Sequence, residues 1–316
     1  MCERYRWFLF CGLSLQSAPL QMLAHFVGCI LNLIGMAHLA AARLCVKFTR
    51  MSTSIAVRTD ALTRRFGELV AVNNVNLAVE AGQFFGFLGP NGAGKSTMIK
   101  MLTGLLAPSS GAINILGMDL STHSVEVKAN IGVVPEGLAL FGRLTASEYL
   151  NFVGRMYGLD AATTAQRAQE LLEFMQLTDR PKALITDFSH GMQKKLALAA
   201  AVIHGPKILF LDEPFEGVDA IAAGTLKAML QRMINRGATI FLTSHVLEIV
   251  ERLCSHVAII SKGQLVAQGS LEELRAGIEA RQGAAASSGG KLTLEQIFLD
   301  IVGGSREGER ELTWLS

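Results

Sequence analysis

The run Gly82–Leu102, GQFFGFLGPNGAGKSTMIKML, sets an apolar stretch, a glycine-rich loop and a helix-forming segment in that order. Its loop, Gly89, Pro90, Asn91, Gly92, Ala93, Gly94, Lys95 and Ser96, followed by Thr97, has the spacing G-x-x-x-x-G-K-S. Glycine permits positive φ, so Gly89, Gly92 and Gly94 are expected to turn successive N–H groups inward. Between a strand and a helix, such a loop cradles the phosphates of a nucleoside triphosphate. Lys95 then supplies a cation to the β and γ phosphates and Ser96 offers a hydroxyl to Mg2+, so the expected ligand is MgATP.

Two further segments fit that chemistry. KILFLDEP (Lys207–Pro214) is four apolar residues ending in two carboxylates, a buried strand delivering acids at its C-terminal edge. Asp212 is placed to hold Mg2+ through water, and Glu213 to polarise an attacking water as a general base. An apolar strand ending in two acids takes on this chemistry through the phosphate loop that accompanies it. Between the two lies ITDFSHGMQKKLALAAAVIHGP, where Ser189 and Gly191 precede a helical run from Met192 to His204. Ser189 is either a plain N-cap or part of a second anion-binding surface made by a hydroxyl, a glycine N–H and a helix N-terminus. Two phosphate-binding elements for one nucleotide suggest that the second serves a partner's nucleotide.

From Met51 onward, short β-rich runs (Ile55–Arg58, Val75–Val79, Gln83–Leu88, Ala112–Ile115, Ile208–Leu211, Thr239–Leu242, His256–Ile260) alternate with helical stretches, which predicts an α/β fold. Thr145–Thr178 instead reads as an inserted helical subdomain, with Leu150, Phe152, Val153, Met156, Leu171, Leu172, Phe174 and Met175 as its core. RQGAAASSGGK (Arg281–Lys291) has linker composition, and Leu292–Gly304 reads as a short amphipathic helix closed by Gly303. The expected organisation is an extension over 1–50, a nucleotide domain over 55–280, a linker over 281–291 and a terminal helix and tail over 292–316.

The extension is the odd part. Trp7–Ala42 carries no Asp, Glu, Lys or Arg, and Met22–Ala42 is long enough to cross a bilayer, which accounts for a mean hydropathy of +0.35. Gln16, Gln21, His25, Asn32 and His38 weaken that span, and the alternative reading takes Met51 as the true start. Four of the five cysteines, Cys2, Cys11, Cys29 and Cys45, sit there without zinc or disulfide spacing. Cys254 alone serves the remainder, as a core hydrophobe in a reducing compartment. A net charge of +2 without basic runs gives no ground for a nucleic-acid partner.

GPNGAGKST, FSHGMQKKL, LFLDEP and TSH, in this order, resemble the nucleotide-binding subunit of an ABC transporter, over about Ile55–Gly277. The SHGMQ variant and the final LEQIF are similar to the exporters whose ATPase and permease are separate chains. The resemblance implies a P-loop NTPase core with an antiparallel β subdomain and an inserted α-helical subdomain. It also implies ATP hydrolysis by a head-to-tail homodimer on the cytoplasmic face of a membrane, bound to a separate permease. Residue by residue, it implies that Phe66 stacks on adenine, although Phe66 also reads as simple core. Ser189, His190, Gly191, Met192 and Gln193 would face the partner's ATP, with no imidazole chemistry required of His190. Asp219 would lie in the loop at the dimer interface, and His245 would contact the γ-phosphate. Glu136 stands where many relatives carry a glutamine that touches Mg2+ and water, so it is expected to be a metal or coupling residue. The rivals are a soluble ATPase acting on ribosomes or DNA, and an ATPase anchored by Met22–Ala42 independently of any permease.

Overall fold

A computed structural model describes residues 54–282 and 292–303. The apolar extension with its four cysteines, the alternative start at Met51, most of the linker and the tail beyond Gly303 lie outside these residues. Among the described residues no helix is long and apolar enough to cross a membrane.

The chain opens with a hairpin, β1 (Ile55–Phe66) and β2 (Leu69–Glu80), and β1 is flanked on its other side by β4 (Ser110–Ile115), which is followed by β5 (Met118–Asp119). The order β2-β1-β4-β5 makes an antiparallel sheet. β1 and β2 run well past the short strands read from the sequence. Register shifts interrupt the hairpin, and Ala61 and Asn74 there take positive φ, so simple alternation is lost midway. Side chains repair the interruption: the Asn74 amide donates to Thr63 Oγ1 and the Ala61 amide to Asn76 Oδ1.

A second sheet has the order β10-β9-β3-β8-β7-β6, from β3 (Phe84–Leu88), β6 (Ile131–Val134), β7 (Ile208–Asp212), β8 (Thr239–Ser244), β9 (His256–Ser261) and β10 (Gln264–Ser270). All its pairs are parallel except β9 with β10. β3, β7 and β8 are buried at every position, as parallel strands covered on both faces must be. Their period of two divides the core. Phe85, Phe87, Phe210 and Phe241 face the antiparallel sheet, with the Phe241 ring 5.5–5.6 Å from the other three. Leu88, Leu209, Leu211, Ile240 and Leu242 face the helices on the other side. β6 and β10 were not read from the sequence; one is four residues long and the other half-exposed along its length.

The helices are α1 (Lys95–Leu102), α2 (Ser124–Asn130), α3 (Ala146–Met156), α4 (Ala161–Phe174), α5 (His190–Val202), α6 (Ala220–Asn235), α7 (Leu247–Leu253), α8 (Leu271–Gln282) and α9 (Leu294–Val302). α8 runs through Arg281 and Gln282, which composition alone assigned to the linker. α9 starts at a Thr293–Gln296 capping box and ends at Gly303.

α3 and α4 form the inserted helical pair, and both start with side-chain caps, from Thr145 and Asp160. Leu150, Leu172 and Met175 are buried there as expected. Phe152 and Met156 are not: they are 43% and 72% exposed, which corrects the expectation that they are core. α3 carries two apolar stripes, and only the one through Leu150 and Gly154 meets α4 and α5. The other holds Tyr149, Phe152 and Met156, with the exposed Phe141 ring edge-on to Tyr149 and Phe152.

Candidate active site

β3, β7 and β8 end side by side, and each releases a functional segment at its C-terminal edge, where ligands of open α/β sheets gather. After β3 comes the phosphate loop. Gly92 and Gly94 have φ of 78° and 109°, open to glycine at no steric cost. Gly89 is a correction: its φ is not positive, and it is glycine because a Cβ there would meet the Ile260 carbonyl oxygen at 2.4 Å. A Cβ on Gly94 would meet the Ala71 carbonyl oxygen at 2.5 Å, so the β1–β2 hairpin lies directly against the loop. Lys95 is buried, and its Nζ donates to the carbonyl oxygens of Gly89 at 2.8 Å and Pro90 at 3.4 Å. α1 begins at Lys95, so Ser96 and Thr97 lie in its first turn.

β7 ends at Asp212, 3% exposed. Asp212 Oδ1 accepts a hydrogen bond from Thr243 Oγ1 at 2.6 Å and lies 3.4 Å from Ser96 Oγ, which is also 3.4 Å from Glu136 Oε2. These oxygens suit a hard, oxygen-preferring cation with phosphate and water completing its shell. Among the described residues no group of three His, Cys, Asp or Glu forms a metal cluster by itself. Ser96 makes the difference.

Glu213, 6% exposed, sits just past the strand at φ 48°, uncommon for any residue but glycine. Its amide donates to Thr243 O at 3.3 Å and Thr243 Oγ1 at 3.2 Å, and its carbonyl accepts from Lys194 Nζ at 3.0 Å. The carboxylate is aimed by this backbone. Oε2 is 3.0 Å from His245 Nδ1 and accepts from the His245 amide at 3.3 Å, while Oε1 is 3.9 Å from Lys95 Nζ. With Nδ1 donating to Glu213, the exposed His245 ring presents Nε2 outward.

Phe66 stands at the tip of the β1–β2 hairpin, 44% exposed and therefore not core. One face of its ring carries the Arg64 guanidinium at 4.6 Å, and Arg64 Nη1 is fixed on the Ala107 carbonyl at 2.8 Å. Leu69, opposite Phe66, is two residues from Ala71, the point of contact with Gly94.

Ser189 caps α5 from an exposed position, its Oγ accepting from the Met192 amide at 3.3 Å. That leaves its own hydrogen for an acceptor outside the helix. Gly191 has only 3.3 Å between a notional Cβ and Asp219 Oδ2. Asp219 caps α6, and backbone bonds from Ala222 and Ile221 hold its carboxyl below the usual carboxylate range. His190 packs against Gly217, and the Gln193 amide turns back onto the Ile185 and Phe188 carbonyls. Cys254 is buried, and burial pushes its thiol pKa up, as suits a core residue. Sequence reasoning missed the parts of Thr243 and Lys194. Thr243 stood in the quoted TSH, and Lys194 stood with Lys195 in the quoted FSHGMQKKL, two lysines that the structure buries.

A parallel sheet with a glycine loop over a helix N-terminus, two acids on the next strand but one and a histidine between them define a P-loop nucleoside-triphosphatase. The family model described as ABC transporter matches residues 72–216. The chain is 37% identical to the linearmycin resistance ATP-binding protein LnrL of Bacillus subtilis, over 69% of this chain and 70% of that one. It is 40% identical to the Nod factor export ATP-binding protein I of Cupriavidus metallidurans, over 66% of this chain and 69% of that one. A solved ATP binding subunit of an ABC transporter superposes with a TM-score of 0.70 at 29% identity, over 78% of this chain and 99% of that one. The chain belongs to the ABC transporter family, as an ATP-binding subunit whose chemistry is ATP hydrolysis coupled to transport.

Proposed function

We propose that two copies of this chain close head to tail over two ATP molecules and drive export by a separate permease. Each ATP lies between Gly89–Ser96 of one copy and Ser189–Gly191 of the other. The observation that carries this is Glu213, buried beside Lys95 and His245 in a backbone conformation that aims its carboxylate out of the sheet edge. Phe66 stacks on the adenine, and Lys95 and the loop amides hold the phosphates. Glu213 orients the attacking water and takes up its proton, while His245 Nε2 faces the γ-phosphate. Ser96, Asp212 and Glu136 would hold Mg2+, which offsets phosphate charge when bound. The capped, exposed N-terminus of α5 offers donors to the partner's triphosphate, with Asp219 beside it at the interface.

Export, and not only transport, is supported by the relatives, of which one is a resistance protein and another an export protein by name. The permease meets the helical insert, whose Phe141, Phe152 and Met156 form an exposed apolar patch. In this reading the subunit works on the cytoplasmic face of a membrane, held there by the permease.

Glu213→Gln tests the assignment. The variant should bind ATP and dimerise while kcat falls at least about 100-fold, the scale expected of a lost general base. Rapid turnover would remove Glu213 from the mechanism and take the proposed site geometry with it.

A further inference from the structure

Lys194 is 2% exposed and Lys195 beside it 7%, ahead of the Leu and Ala run of α5. Burial lowers the Lys194 pKa, opposed by attraction to Glu216, Glu136, Asp212 and Glu213. A cation taken out of water needs a fixed partner. Its Nζ donates to the main-chain carbonyl of Glu213 at 3.0 Å, a contact used by no step of ATP hydrolysis.

Two features make that contact more than packing. Glu213 is left-handed, so the position of its carboxylate depends on how the peptide on each side is held. Thr243 holds the amide side and Lys194 holds the carbonyl side. Lys194 also belongs to α5, whose N-cap is Ser189, five residues and about one and a half turns away. A helix transmits displacement along its axis with little loss. Movement at Ser189 therefore reaches the Glu213 carbonyl through one side chain.

We propose that Lys194 is a positioning residue that ties the N-terminus of α5 to the catalytic carboxylate of the same chain, so that a triphosphate bound at Ser189 by the partner copy sets Glu213 for hydrolysis. This rests on the head-to-tail reading above. What it adds is the route, through the Lys194 side chain, from Ser189 to the Glu213 carbonyl of the same chain.

The test uses the full chain with Lys194→Met, Lys194→Arg and Lys194→Gln, following ATP hydrolysis against ATP concentration with thermal melting as the folding control. Lys194→Met is expected to lose at least about tenfold in kcat, since misplacing a reacting group by ~1 Å costs on the order of 100-fold. Its KM for ATP should stay within about twofold, because nothing that touches nucleotide has changed. The Hill coefficient should fall toward one. Lys194→Arg or Lys194→Gln, which still donate to a carbonyl, should restore most of the rate. A Lys194→Met variant with the parental kcat and Hill coefficient overturns the proposal. So does a loss of kcat that comes with a matching loss of melting temperature and is rescued by neither donor. Glu213→Gln in parallel separates the two readings: slow Glu213→Gln with fast Lys194→Met refutes only the coupling, whereas fast Glu213→Gln refutes the site assignment itself.

Discussion

Thr243→Val removes one oxygen from the centre of the site and leaves the shape of the side chain almost unchanged. Thr243 is fully buried, and its hydroxyl donates to Asp212 Oδ1 at 2.6 Å while accepting from the Glu213 amide at 3.2 Å. Valine fills the same space, so no cavity term enters. What is lost is a short bond to the charge of a buried carboxylate, worth about 1.5–3 kcal/mol. The Glu213 amide keeps the Thr243 carbonyl at 3.3 Å, so the loss falls on Asp212. For a protein of this size, about 2 kcal/mol lowers the melting temperature by roughly 4–8 °C. Asp212 also stands 3.4 Å from Ser96 Oγ, so a freed carboxylate binds Mg2+ less well. Expressed wholly in metal binding, the same energy raises the half-saturating Mg2+ concentration by about 30-fold. Thermal melting, together with ATP hydrolysis titrated with Mg2+, reads both. Thr243→Ser keeps the hydroxyl and should stay near the parent in each. A Thr243→Val protein with parental melting and parental Mg2+ dependence would refute the claim that this hydroxyl orients Asp212.

Phe66→Ala should raise KM for ATP about tenfold, since stacking of a base on an aromatic ring is worth about 1–3 kcal/mol, and leave inorganic triphosphate binding as it was. Equal weakening of both ligands would place the ring in the fold and not in the base site. Asp219 caps α6 with a folded pKa below the unfolded value, so its contribution is complete above the ordinary carboxylate range and is lost as pH falls through the lowered pKa. Asp219→Asn retains an accepting oxygen, and circular dichroism during acid titration should show a flatter loss of helix. The same acid limb in both proteins would rule out Asp219 as its source.

Much of the site could be read from the sequence because its parts are local. The phosphate loop and the Asp212–Glu213 pair each occupy a few consecutive residues at a strand end, where type and spacing carry the chemistry. What escaped depended on register. Thr243 reaches Asp212 because these two residues are paired across β7 and β8, and a one-residue slip would turn the hydroxyl to the other face. Lys194 meets Glu213 through the packing of α5 on the sheet, which no periodicity discloses. In α3, spacing revealed apolar stripes but not which one would be covered, hence the error at Phe152 and Met156. The antiparallel sheet came from family resemblance alone, since bulges had blurred the alternation of β1 and β2. Gly89 was recognised as obligatory for the wrong reason: the cause is the Ile260 carbonyl, supplied by a strand far along the chain.

The strand order has a consequence for how the protein is made. β3, which leads into the phosphate loop, pairs with β8 on one side and β9 on the other, so the chain that emerges first from the ribosome waits for partners synthesised much later. At ordinary elongation rates the interval from Leu88 to Thr239 is on the order of 10–30 s. Throughout that time an all-apolar β3 has neither neighbour, and the loop lacks the Ile260 backbone against which Gly89 closes. ATP therefore cannot template its own site on the nascent chain. The hairpin of β1 and β2 can form early, but nucleotide affinity arrives only once β9 is out, and until then the apolar face of β3 stays open to water.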